Sequence, residues 1–219
     1  MIQRSPLLMI LLSAVLLTAC TTPRPVETIR QNGDRLYALG DWSGAAEEYE
    51  LIVQRYPGDW KAQYGLGLAR LKLGDANGAR NALEVAHTRR PNHNKVADAL
   101  AEAMYQQGRE NELFAFLRER AESTQSVHGY LQLARYAVAL NDPDSAQVAL
   151  ETAIEVDDGL TVEPYLQAAA FAQRLGDLDT ALRRLRQAYG INPYDERVKQ
   201  RIRELGEVPG PTIALPPGR

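Results

Sequence analysis

The sequence predicts an all-α protein built as a ladder of stacked helical hairpins, and three observations carry that prediction. Gly33, Gly40, Asp41, Ala45 and Pro57 recur as Gly67, Gly74, Asp75, Ala79 and Pro91, every pair 34 residues apart. A fixed period of that size marks a stacked helical repeat. Between the landmarks, AAEEYELIVQRY and ARNALEVAHTRR place Ala45, Tyr49, Ile52 and Ala79, Leu83, Ala86 on one helical face, with the charges mostly opposite. Gly40, Pro57, Gly74 and Pro91 fall between the amphipathic runs, so the punctuation agrees with the period.

The second copy, Gly67 to Pro91, explains the unit physically. Gly67 and Ala79 stand where two antiparallel helices approach closely, and a larger side chain there would overpack the contact by about 1–3 kcal/mol. Gly74 closes the first helix, where a left-handed residue costs glycine least. Asp75 then accepts from the free N–H groups that open the second helix, and Pro91 stops it. Later copies are looser. Gly108 keeps the period, but Leu113 replaces the small Ala and Gln125 the Pro. Asn141, Ala146 and Leu150 mark a fourth unit, and Gly176, Ala181, Leu185 and Pro193 a fifth.

These landmarks resemble the tetratricopeptide repeat (TPR) family, which has a Gly in the first helix, an Ala and then an aromatic or Leu in the second, and a terminal Pro. Gly33, Ala45, Tyr49, Pro57 and Gly67, Ala79, Leu83, Pro91 fit that pattern. The resemblance implies a right-handed α-solenoid of about five repeats, near 26–59, 60–93, 94–126, 127–161 and 162–195, within a TPR domain spanning 26–206. ERVKQRIREL, apolar at Val198, Ile202 and Leu205, predicts a capping helix over 196–206, because an array end exposes a face that the next repeat would have covered. Residues 207–219, rich in Pro and Gly, are expected to be a disordered or extended tail.

The beginning of the chain has a different character. Arg4 precedes the apolar run LLMILLSAVLL, too short to span a bilayer but of the right length for a secretory signal. Leu17-Thr18-Ala19-Cys20 follows and resembles the bacterial lipobox. That resemblance implies a lipoprotein signal peptide over 1–19 and a lipid attached to Cys20, the only cysteine in the chain. Residues 20–25 then form the lipidated N-terminus and a short Pro-containing tether. Two or more acyl chains hold a protein stably at a bilayer. Thr21 in place of an Asp favours, by the same resemblance, the periplasmic face of the outer membrane.

Composition bounds the function. The chain has 219 residues, 24% of them charged, and a net charge of −3, without the concentrated basic face that a nucleic-acid partner requires. His87, His93 and His128 lack a second ligand at metal-binding spacing, so no metal and no cofactor beyond the covalent lipid are expected. Gly65-Leu66-Gly67 has no preceding strand to make it a nucleotide loop. Asp157-Asp158-Gly159 lacks the alternating oxygens of a calcium loop and reads as a turn.

In TPR arrays the first helices line a concave groove that receives a peptide or a partner helix. By position, the resemblance implies a groove of Arg30, Asp34 and Tyr37, then Tyr64, Leu68 and Leu71, then Asp98, Glu102 and Tyr105, then Leu131, Arg135 and Val138, and finally Leu166 and Gln173. Lys61, Lys72, Lys95 and Arg174 flank them. The 60–73 helix is apolar on two sides, with Leu66, Ala69 and Leu73 expected in the core. Tyr64, Leu68 and Leu71 then either pack against neighbouring first helices or form a pocket for a peptide. No acid–base pair or activated nucleophile can be placed. The expectation is a non-enzymatic, membrane-anchored scaffold binding a peptide or protein subunit in the cell envelope, in pilus, secretion or outer-membrane assembly. The alternatives are an adaptor of cell-wall enzymes and a self-assembling structural lipoprotein.

Overall fold

The computed structural model describes residues 24–218. The expected signal peptide, Cys20 and most of the expected tether lie outside the described residues. Within them the chain forms eleven α-helices and no strand. These are α1 (Val26–Ala38), α2 (Trp42–Arg55), α3 (Trp60–Lys72), α4 (Ala76–Arg89), α5 (Asn94–Gln106), α6 (Glu110–Thr124), α7 (Val127–Ala139), α8 (Pro143–Asp157), α9 (Glu163–Arg174), α10 (Leu178–Ile191) and α11 (Glu196–Glu204).

Each helix packs on the one before and the one after, and α1, α3, α5 and then α7, α9 also touch across the hairpins. Contacts of this kind, confined to neighbours, make a solenoid with its odd-numbered helices along one face. The turns explain the regularity. Gly40, Gly74, Gly108 and Gly176 take φ between 68° and 82°, and Asn141 takes the same role at φ 58°. Asp41, Asp75, Asp142 and Asp177 then accept from the backbone N–H three residues on, at 2.8–3.1 Å. Each such cap contributes about 1 kcal/mol. The second hairpin's contact is tight: a Cβ on Gly67 would lie 2.5 Å from Leu83 Cγ, and Leu83 is fully buried.

Three features differ from the sequence reading. Leu73 closes α3 at its C-cap and is half exposed, so it leaves the core to Leu66 and Ala69. In the third hairpin Arg109 offers no side-chain cap, and α5 and α6 approach each other less closely than the helices of the other hairpins. Leu113, wholly buried where its counterparts are alanines, holds them apart.

The third difference concerns the tail. Residues 207–218 are largely extended, as one expectation had it, but they are docked and not disordered. A single 3-10 turn, Pro211–Ile213, places Ile213 in the core cluster that contains Leu185, Val198 and Ile202. Leu215 N–H donates to the Arg186 carbonyl at 3.1 Å. Composition alone undercounts such a segment: prolines have no N–H to satisfy, and one buried isoleucine on an uncovered array end anchors the rest.

Candidate functional site: the face of the odd-numbered helices

At the N-terminal end, several residues expected in the groove join the hairpins together. Arg30 donates to both Asp59 oxygens, at 3.2 and 2.9 Å, tying α1 to the start of α3. Burial would raise the Asp59 carboxyl, but the Arg30 guanidinium and the Ala62 amide outweigh it and hold the carboxyl below its usual range. Tyr49 lies between Gly33 and Gly65, where added Cβ atoms would come 3.0 and 2.6 Å from its ring. Its hydroxyl donates to Asp34 at 2.6 Å. Tyr37 is half-buried against the same cluster.

On α3, Tyr64, Leu68 and Leu71 are half-buried against the cluster of Leu83, Leu100, Leu113 and Leu117. Burial pushes the Tyr64 hydroxyl's pKa up. Beside Tyr64, His93 packs on Trp60 with ring centroids 5.1 Å apart. Arg90 and Lys61 lie over the Trp60 ring at 5.4 and 6.0 Å. Lys72 and Lys95 are exposed.

The middle of the face is a polar junction between α5 and α7. Asp98 contacts His128 Nε2 at 2.9 Å. Glu102 accepts from the Tyr136 hydroxyl at 3.0 Å, Tyr105 lies 5.5 Å from the Tyr136 ring, and Arg135 stacks on that ring at 4.7 Å. Burial, reinforced by Glu102 against the opposing Arg135, raises the Tyr136 pKa. Sequence reasoning named Asp98, Glu102, Tyr105 and Arg135 but missed Tyr136 and His128. A signal for Tyr136 was present, since an aromatic stands there where Ala69 and Ala103 occupy the earlier copies. Leu131 and Leu166 require correction: they are 9% and 6% exposed and belong to the core cluster, so they offer a ligand almost nothing.

Beyond the junction the face opens. A depression of about 300 Å³ between α7 and α9 is lined by Arg135, Val138, Gln167, Ala170, Phe171 and Arg174. Gln167 and Ala170 also border a second depression, of about 440 Å³, between α9 and α11 with Leu166, Arg197 and Arg201. The first is a short channel with an apolar floor and arginines beside it, whereas the second, on the other side of α9, is lined mostly by charged and polar side chains. Arg197 is paired with Asp195 and Glu163 at 2.9 and 3.1 Å, and Arg201 donates to the Leu166 carbonyl at 3.1 Å. Arg174 forms no salt bridge among the described residues and is exposed. Such a channel can take an extended or helical segment with apolar anchors and acidic flanks.

Among the described residues, no three His, Cys, Asp or Glu side chains come together as a metal site, and no helix is long and apolar enough to cross a membrane.

Comparison with known proteins agrees with this architecture. Tetratricopeptide-repeat profiles match residues 30–94 and 127–159. No curated protein matches the chain. Among solved structures, TTC0263, a thermophilic TPR protein of Thermus thermophilus, is similar at a TM-score of 0.55 and 24% identity, over 83% of this chain and 98% of that one. MamA from Desulfovibrio magneticus RS-1 is similar at 0.57 and 15%, over 78% and 97%. YrrB, described as a TPR protein with an unusual peptide-binding site, is similar at 0.51 and 14%, over 82% and 92%. The chain therefore carries tetratricopeptide repeats, recognised over 30–94 and 127–159, on the all-helical scaffold that TPR proteins share.

Proposed function

We propose that this chain is a non-enzymatic scaffold, anchored in the bacterial cell envelope by a lipid on Cys20, that holds a peptide or protein subunit on the face of its odd-numbered helices. The observation that carries the binding reading is the channel between α7 and α9, apolar at Val138, Ala170 and Phe171 and flanked by Arg135 and Arg174. An unfilled apolar floor under cations fits an acidic segment with hydrophobic anchors. The lipobox-like Leu17-Thr18-Ala19-Cys20 supports the anchor and, with it, a position at the outer membrane's periplasmic face.

A photo-crosslinking residue at Val138 tests the binding reading in cells. It is expected to capture a discrete partner, and Arg174→Glu, at an exposed residue without a salt bridge among the described residues, is expected to reduce that capture at least tenfold while the melting temperature stays put. Capture that ignores the charge reversal would count against the channel. No capture at all would remove it.

A further inference from the structure

The trough that receives the tail is separate from the channel and has the construction of a binding site. It runs along α10, beside Tyr165 of α9 and the turn that follows α8. Every hydrogen bond across it goes to tail backbone. Arg186 Nε donates to the Ile213 carbonyl at 2.9 Å, and the Arg186 carbonyl accepts from Leu215 N–H at 3.1 Å. Farther on, Arg184 and Gln187 donate to the Gly218 carbonyl at 3.1 and 3.0 Å, and Gly218 N–H donates to the Tyr165 hydroxyl at 3.2 Å. Arg184 and Gln187 are 5% and 6% exposed and Tyr165 only 1%. A buried guanidinium given to neutral acceptors is costly unless those acceptors are in place.

Two glycines clear the path. A Cβ on Gly190 would lie 2.1 Å from the Leu215 carbonyl oxygen, and one on Gly159 would lie 2.6 Å from the Pro217 ring. Gly190 sits within α10, where glycine weakens a helix relative to alanine, so the close approach of the tail accounts for it.

We propose that this trough is a binding site for an extended peptide of the form Ile-x-x-Pro-Pro-Gly, with the chain's own tail as its resident ligand. Selectivity comes from the buried isoleucine and the proline over Gly159, and strength from the backbone contacts at Arg184, Arg186 and Gln187. An outside segment of this form has to displace the tail before it can bind.

Tethering sets the affinity to be measured. A short linker gives an effective concentration of about 1 mM, so a tail docked in nine molecules of ten requires a dissociation constant of about 0.1 mM for the free peptide. In the full chain, Ile213→Asp removes the anchor and leaves the trough intact. A fluorescent peptide of residues 207–219 is then expected to bind the Ile213→Asp chain at about 0.1 mM or tighter. Binding to the unaltered chain, or to Ile213→Asp combined with Gly190→Ala, is expected to be at least tenfold weaker. No binding to Ile213→Asp up to about 1 mM, or equal binding to all three, overturns the proposal.

Should Ile213→Asp lose its helical signal, amide exchange decides. The Leu215 and Gly218 amides are expected to exchange at least tenfold more slowly in the unaltered chain than in Gly190→Ala. Equal rates in the two chains overturn the site.

Discussion

Single residues decide how closely the helices approach. Gly67 faces Leu83 with no room for a methyl group, and Leu83 has no solvent to retreat into. Gly67→Leu is expected to cost about 3 kcal/mol. Gly78→Ala is expected to cost about 1 kcal/mol, and not nothing, because its new methyl would meet the Asp75 carboxylate that caps α4. Urea midpoints measure both, and equal losses would undo the assigned contact. Asp59 supplies a pH dependence. Its carboxyl is held below the ordinary value, so the folded state binds its proton less readily than the unfolded chain does. The stabilisation is complete above the normal aspartate range, about pH 4, and is lost as pH falls through the lower folded value. Asp59→Asn is expected to flatten the stability curve in that acidic window; a curve unchanged in slope there would refute the role.

Among the elements, the third hairpin stands out. Leu113 could be read from the sequence as a departure from the repeat, since Ala45, Ala79, Ala146 and Ala181 hold that place in the others. Its consequence could not be read. The helices have separated around it, so Leu113 is now a fully buried part of the core. Restoring the repeat's own residue with Leu113→Ala is therefore expected to destabilise, by about 2–5 kcal/mol, because a widened hairpin leaves a cavity where a tight one would close. Thermal unfolding measures this, and a gain in stability would mean that the hairpin collapses. The junction of Asp98, Glu102 and Tyr105 with His128 and Tyr136 was half legible for a related reason. Residues on α5 followed from the period, but their partners on α7 lie about one repeat away, and which side chains meet depends on the angle between helices.

At the scale of the whole molecule, stability is a chain of neighbour contacts, and the two ends are where a neighbour is missing. The proposed lipid sits at one end. Cys20→Ala is expected to move the protein from the membrane to the soluble periplasmic fraction, or to leave it as an uncleaved precursor. Fractionation with immunodetection checks this, and undiminished membrane association would refute the lipid anchor. At the other end, α11 and the docked tail together cover the last repeat, burying Val198, Ile202 and Ile213 in one cluster.

The sequence alone determined that the chain is all-helical and repetitive. A 34-residue recurrence of small residue, turn, cap and stop admits only helical hairpins that stack, because no single hairpin can bury its apolar side by itself. Tertiary structure decided what the period cannot encode: the burial of Leu131, the spacing of α5 from α6, the run of the arginine-flanked channel and the path of the tail. Each depends on distances between segments far apart in the chain, and Gly190 shows why. In sequence it is a weak point in a helix, and only the Leu215 carbonyl lying against it gives the missing side chain a purpose.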